Sequence, residues 1–212
     1  MKKLSTLILL TLFGFGCSNT PEDSMNPFFE DYDTPYNIPP FEKIKEAHYL
    51  PAFNQGMKEQ LKEIDFITDN PESPTFENTI VELERTGKTL NKVADVFFNL
   101  LSSNTNDEMD AIAAEISPKL SAHSDAISLN KKLFNRVHEV FEQRKNLGLN
   151  TEQKRLVEET HKGFIRSGVQ LDDPSMMKLT QINQELSSLS VQFDQNLLKE
   201  TNEGFSLIIE DE

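Results

Sequence analysis

The chain has 212 residues, a formal net charge of −14 and a single cysteine, Cys17. So acidic a balance repels phosphate backbones and anionic headgroups, which argues against nucleic acid as a partner and against charge as a means of membrane attachment. One cysteine rules out an internal disulfide, so the fold must be held by its hydrophobic core.

The chain begins Met1-Lys2-Lys3, continues with Leu4 to Phe15 free of charge, and reaches Gly16-Cys17. A short basic start, an apolar run too short to span a bilayer and small residues before a cysteine predict a signal peptide over 1–16. The tail Gly14-Phe15-Gly16-Cys17 has the form of a bacterial lipoprotein signal, which predicts lipidation at Cys17 and a place at the cell envelope facing the periplasm. An ordinary exported protein with one unmodified cysteine is the alternative. Removal of Lys2 and Lys3 with the signal shifts the formal charge from −14 to −16.

Residues 17–40 contain Pro21, Pro27, Pro35, Pro39 and Pro40 among Asn, Asp, Glu and Ser. Proline fixes φ and removes donors, so an extended tether is expected here, with Phe28, Phe29, Tyr32 and Tyr36 available to dock its later half on the body. From 41 to 203 apolar residues recur at helical spacing. Phe41, Ile44, Tyr49, Phe53, Met57, Leu61 and Ile64 form one stripe, expected to bend or divide near Pro51. Phe76, Ile80, Leu83, Gly87, Leu90, Ala94, Phe97 and Leu101 predict one continuous helix. Thr105 to Glu108 reads as a capping box for a helix over Met109, Ile112, Ile116, Leu120 and Ile127, which Pro118 should kink or divide. A helix within Leu129 to Leu147 ends at Gly148, and another opened by Asn150 and Gln153 closes at Gly168. Asp173-Pro174 starts a long helix carrying Met176, Leu179, Ile182, Leu186, Leu189, Phe193 and Leu197. The expectation is an all-α bundle of about six helices, with antiparallel neighbours. Phe205 to Ile209, within 204–212, lacks helical period and is β-prone, so it reads as a short strand without a partner in this chain.

A search for catalytic groups finds fragments of motifs only. His138-Glu139-Val140-Phe141-Glu142 begins like a zinc-binding helix, but glutamate stands where the second histidine must be. It is expected to be a partly exposed helical histidine. Glu158-Glu159-Thr160-His161 has the Glu-x-x-His spacing of di-iron bundles without the second pair such sites need, and reads as part of a charged face. His123 falls on an apolar stripe and reads as a core or boundary histidine. His48, beside Tyr49, has no ligand close in sequence. No catalytic, metal-binding or cofactor-binding residue is therefore assigned; Cys17 is the only site residue.

Pro74-Thr75-Phe76-Glu77-Asn78-Thr79-Ile80, continuing through Val81-Glu82-Leu83-Glu84-Arg85-Thr86-Gly87, resembles the N-terminal signature of the thimet oligopeptidase family, especially its bacterial peptidyl-dipeptidase branch. Pro40 to Ile44, His48 to Phe53, Leu129 to Phe134 and Leu149 to Leu156 resemble further family segments in the same order, so that the resemblance covers nearly all of Asn26 to Glu212. It implies the N-terminal helical part of a zinc metallopeptidase that hydrolyses short peptides in a channel between two halves. It also implies that this part roofs the channel, while zinc and its H-E-x-x-H ligands belong to a C-terminal catalytic portion. Such a chain would be inactive alone and would present exposed apolar faces. The rival expectation is a complete, non-catalytic helical lipoprotein that binds peptides or a protein partner at the cell envelope.

Overall fold

A computed structural model describes residues 25–204. Its principal elements are α1 (Tyr49–Thr68), α2 (Glu82–Arg85), α3 (Lys88–Ser103), α4 (Asp107–Ser128), α5 (Lys131–Gln143), α6 (Thr151–Arg166) and α7 (Asp173–Glu203). Among the described residues the architecture is an all-α helical bundle. The candidate strand at 205–209, the signal peptide and Cys17 lie outside the described residues.

Side-chain caps place most helix starts. Asn106 accepts from Met109 N at 2.9 Å, Asn130 from Leu133 N at 3.0 Å and Asn150 from Gln153 N at 2.9 Å. Each carboxamide oxygen satisfies an amide that the first helical turn leaves without a carbonyl. Asn150 and Gln153 form the expected reciprocal box, whereas α4 starts from Asn106, one residue after the expected Thr105. Likewise Asp172, not Asp173, caps α7, accepting from Ser175 N at 2.8 Å. Gly148 and Gly168 adopt the left-handed φ values of 67° and 94° that end α5's extension and α6.

Prolines disturb the helices less than the sequence leads one to expect. Pro51 lies in the first turn of α1, where no intrahelical donor is needed, so α1 runs uninterrupted for 20 residues. Residues 41–45 precede it as a turn and an irregular stretch, and Glu46–His48 as one 3-10 turn. Pro118 lies inside α4, yet that helix is continuous over 22 residues. The carbonyl that Pro118 leaves without a donor belongs to Ala114, which is exposed, so solvent can satisfy it.

The greater correction concerns the helix expected from Phe76 to Leu101. Phe76–Val81 forms a widened π-type turn capped by Thr75, α2 follows, and the chain breaks at Gly87 with φ 78° before α3 begins. Gly87 N donates to Glu63 Oε2 at 2.7 Å, and a Cβ at this position would meet Gln60 Nε2 at 2.6 Å. Positive φ and close approach both require glycine here. The supposed seam is thereby split between two cores.

The first core joins Tyr49, Ala52 and Phe53 of α1, Leu90, Val93, Val96 and Phe97 of α3, and Met109, Ile112, Ala113 and Ile116 of α4. Phe97 meets Tyr49 and Phe53 edge to face, with centroids at 5.0 and 5.3 Å, a favoured aromatic geometry. Gly56 allows α1 and α3 to touch here, since a Cβ on it would stand 2.7 Å from Leu90 N. The second core unites Ile64 and Ile67 of α1 with Phe76 and Ile80, with Leu133, Phe134, Val137 and Val140 of α5, and with Val157 and Phe164 of α6. α1 thus spans both cores. Arg136, only 9% exposed, donates to the carbonyls of Asn70 and Glu72 at 2.9 and 3.2 Å and to Asn78 Oδ1 at 3.2 Å, so it fixes the loop after α1.

The later half of the expected tether docks. Phe28 is 1% exposed and tilts against Tyr49, Asn26 Nδ2 donates to His48 O at 2.8 Å, and Lys92 Nζ lies 3.9 Å from the centre of the Tyr32 ring. Lys92 Nζ also donates to Glu30 O. Of the four aromatic residues expected to dock, Phe28 and Tyr32 do so, while Phe29 and Tyr36 stay exposed.

Candidate functional surface

The four histidines take structural positions that differ from one another. His48 Nδ1 accepts from Lys45 N at 3.0 Å and caps the turn before α1. His123 is buried on α4, as its apolar stripe implies, and its Nε2 lies 2.7 Å from Gln60 Oε1. An amide oxygen can only accept, so His123 donates from Nε2. Burial holds the His123 pKa below the ordinary histidine value. With Nε2 donating to Gln60, Nδ1 carries the lone pair and is buried without a hydrogen-bond partner.

His138 and His161 come together across the α5–α6 contact, with Nδ1 of His138 3.0 Å from Nε2 of His161. His138 is exposed, as expected, but His161 is not part of a charged face: it is 8% exposed and stacks on Phe141 with centroids 3.9 Å apart and planes within 6°. Arg144 covers the other side of Phe141, its guanidinium carbon 3.7 Å from the ring centre. Desolvation, then the neighbouring His138, lowers the His161 pKa, with Glu142 opposing and Arg144 reinforcing. Sequence spacing could not reveal this pair, because its members lie on different helices.

These residues do not fit a zinc site. The facing nitrogens of His138 and His161 are hydrogen-bonded to each other rather than directed at a common point, and no three His, Cys, Asp or Glu side chains among the described residues could hold a metal ion.

A cleft of about 680 Å³ opens between α4, the end of α6 and α7. Ser117, Ser121, Ser124 and Ser128 line it from α4, and Ser187 and Ser190 from α7. Asn183 donates to Asp125 Oδ1 at 2.9 Å within it. Hydroxyls in such an open cleft suit water or a polar chain, and none has an imidazole poised as its base.

The most unusual surface belongs to α7. Its contact with α4 is antiparallel and mixed: Asn183 bonds Asp125, Gln195 Nε2 donates to Asp110 O at 2.9 Å, Val191 packs against the first core, and Leu179 and Leu186 line the cleft beside Leu120. Lys131 Nζ, 2.7 Å from Asp173 Oδ1, tethers the start of the helix. No residue of α7 is buried, although it is 31 residues long. Ile182, Leu186, Leu189, Phe193 and Leu197, which the sequence marks as an amphipathic stripe, are 50–66% exposed. No helix among the described residues is long and apolar enough to cross a membrane.

The described residues define an all-α helical bundle with one long, exposed apolar stripe on its last helix. Over 181 residues, 85% of its length, the chain is 39% identical to dipeptidyl carboxypeptidase of Salmonella typhimurium, of which the match covers 27%. It is also 39% identical to the dipeptidyl carboxypeptidase of Escherichia coli over 89% of this chain and 28% of the relative, and 25% identical to oligopeptidase A of the same organism over 84% and 26%. No protein-family model matches the chain. Dipeptidyl carboxypeptidase and oligopeptidase A are thus homologues of the chain, which spans about a quarter of the length of these curated relatives.

Proposed function

We propose that this chain is the N-terminal, non-catalytic helical part of a peptidyl-dipeptidase, a zinc metallopeptidase that releases dipeptides from the C-termini of short peptides. The observation that carries this reading is the 39% identity to dipeptidyl carboxypeptidases across most of the chain but only about a quarter of those enzymes. In this reading zinc and the hydrolytic residues reside in the portion of the enzyme that the match leaves out. The bundle roofs the substrate channel, and burying a peptide beneath it excludes folded proteins by size and keeps bulk water from the reacting bond. The acidic surface biases which peptides approach.

The test is hydrolysis of short peptides by the purified chain, followed by mass spectrometry with added zinc and then with a chelator. No product is expected. Zinc-dependent release of dipeptides from the chain alone would break the reading.

The reading includes anchoring through lipid on Cys17, with the bundle facing the periplasm. Its support is the short apolar leader that ends at the chain's single cysteine. Cys17→Ser is expected to abolish incorporation of labelled fatty acid and to move the protein from the membrane to the soluble fraction. Unchanged labelling of the variant would refute lipidation at this residue.

A further inference from the structure

We propose that the outer face of α7 is a docking surface for the catalytic portion of the same enzyme, an inference that rests on the functional reading above. Five large apolar residues, Ile182, Leu186, Leu189, Phe193 and Leu197, follow one another at steps of four and three, and all are at least half exposed. That spacing puts them on a single side of a helix with 3.6 residues per turn. Asn183, Ser187, Val191 and Gln195 occupy the opposite side, where hydrogen bonds from Asn183 and Gln195 tie the helix to α4. α7 therefore meets its own bundle through Asn183, Val191 and Gln195, with Leu186 at the edge of the cleft beside α4, and leaves the rest of its apolar stripe turned outward. This is the reverse of a terminal helix that closes a core.

A contiguous apolar face of this length marks an interaction site rather than a solvated surface. Two features select the occupant. The relatives that share 39% identity with this chain extend over more than three times the matched length, so a large body of the same polypeptide is available to cover it. A second copy is disfavoured by charge: each chain carries a formal −14, and α7 itself bears Asp173, Glu185, Asp194, Glu200 and Glu203 against Lys178 and Lys199. The complementary surface is an apolar helix face or groove bordered by Lys and Arg, held by hydrophobic burial at its centre and ion pairs at its rim.

The experiment replaces the aligned segment of Escherichia coli dipeptidyl carboxypeptidase with this chain and assays the full-length chimera on a blocked tripeptide whose cleavage frees a dipeptide. Leu186→Glu, Leu189→Glu and Phe193→Glu are introduced together, with Gln181→Glu, Gln192→Glu and Asn202→Glu as an exposed, equally charged control. The expected result is an active chimera that loses its activity with the triple substitution and keeps it with the control. In the isolated chain the same triple substitution should leave the melting temperature and helix content unchanged, because nothing among the described residues covers the face. An active chimera indifferent to the triple substitution would overturn the docking surface while leaving the functional reading intact. A chimera inactive without any substitution would count against the functional reading and take this inference with it. Dimerisation of the isolated chain, abolished by the triple substitution, would assign the face to a second copy and so overturn the inference.

Discussion

Helices α3 and α7 carry the same kind of apolar repeat and meet opposite fates. In α3, Leu90, Val93 and Phe97 step by three and four residues and are at most 8% exposed. In α7, Ile182, Leu186, Leu189, Phe193 and Leu197 keep the same steps and remain at least half in solvent. The difference is one of partners. α3 faces α1 across Gly56 and shares its core with Met109, Ile112 and Ile116 of α4, so its stripe is buried. α7 lies against α4 through Asn183, Val191 and Gln195, and its stripe stays at least half exposed even where Leu186 borders the cleft beside α4. A periodic stripe establishes that a helix is amphipathic; which molecule covers the stripe is settled elsewhere.

Paired truncations sharpen this contrast. Phe97→Ala removes a fully buried ring that contacts Tyr49, Phe53 and Phe98, and is expected to cost about 3–5 kcal/mol. Against a typical domain stability of roughly 5–15 kcal/mol, that loss is large enough to unfold a marginal protein. Phe193→Ala, at the most exposed residue of the stripe, is expected to change stability by no more than about 0.5 kcal/mol in the isolated chain. Urea denaturation of both variants checks the pair. Equal destabilisation would mean that α7 buries its stripe in solution and that the contrast between the helices is false.

Much of the fold was legible in the sequence, because its determinants are local. The Asn150 and Gln153 box, the left-handed Gly148 and Gly168 and the apolar period of α3 to α7 depend on residues within a few positions of one another. Where the reading erred, the deciding contact was distant. Gly87 looked like one member of a helical seam, and the break there is fixed by Glu63 and Gln60 of α1. Pro118 looked like a helix breaker, but the carbonyl it strands faces solvent. The pairing of His138 with His161 was hidden for the same reason, and so was the role of Arg136, whose three acceptors lie 58 to 66 residues away. Homology to these peptidases was legible through ordered sequence blocks; the exposed side of α7 required coordinates.

The smallest expected effect concerns pH, and it separates the second core from α7. His123 and His161 both have folded-state pKa values lowered from 6.5 by desolvation, with His138 adding to the shift at His161. The unfolded chain therefore binds protons more readily than the folded one below about pH 6.5. Stability from these groups is complete above that value and declines as pH falls toward the folded pKa values. At the α5–α6 contact there is a geometric reason as well: the bond between His138 Nδ1 and His161 Nε2 needs one nitrogen with a lone pair, so both rings cannot be charged and keep it. Glu142 on α5 partly compensates a charged His161, and Arg144 opposes it. Carboxylates such as Glu46, Glu59 and Asp172, whose pKa values are lowered by hydrogen bonds, lose their contributions only below the ordinary carboxylate range, so the two windows are distinct. The melting temperature should fall between about pH 7 and pH 5, and His161→Gln should flatten that fall while Phe193→Ala leaves it unchanged. A pH profile that His161→Gln leaves as steep as before would show that the histidine pair does not report on the second core.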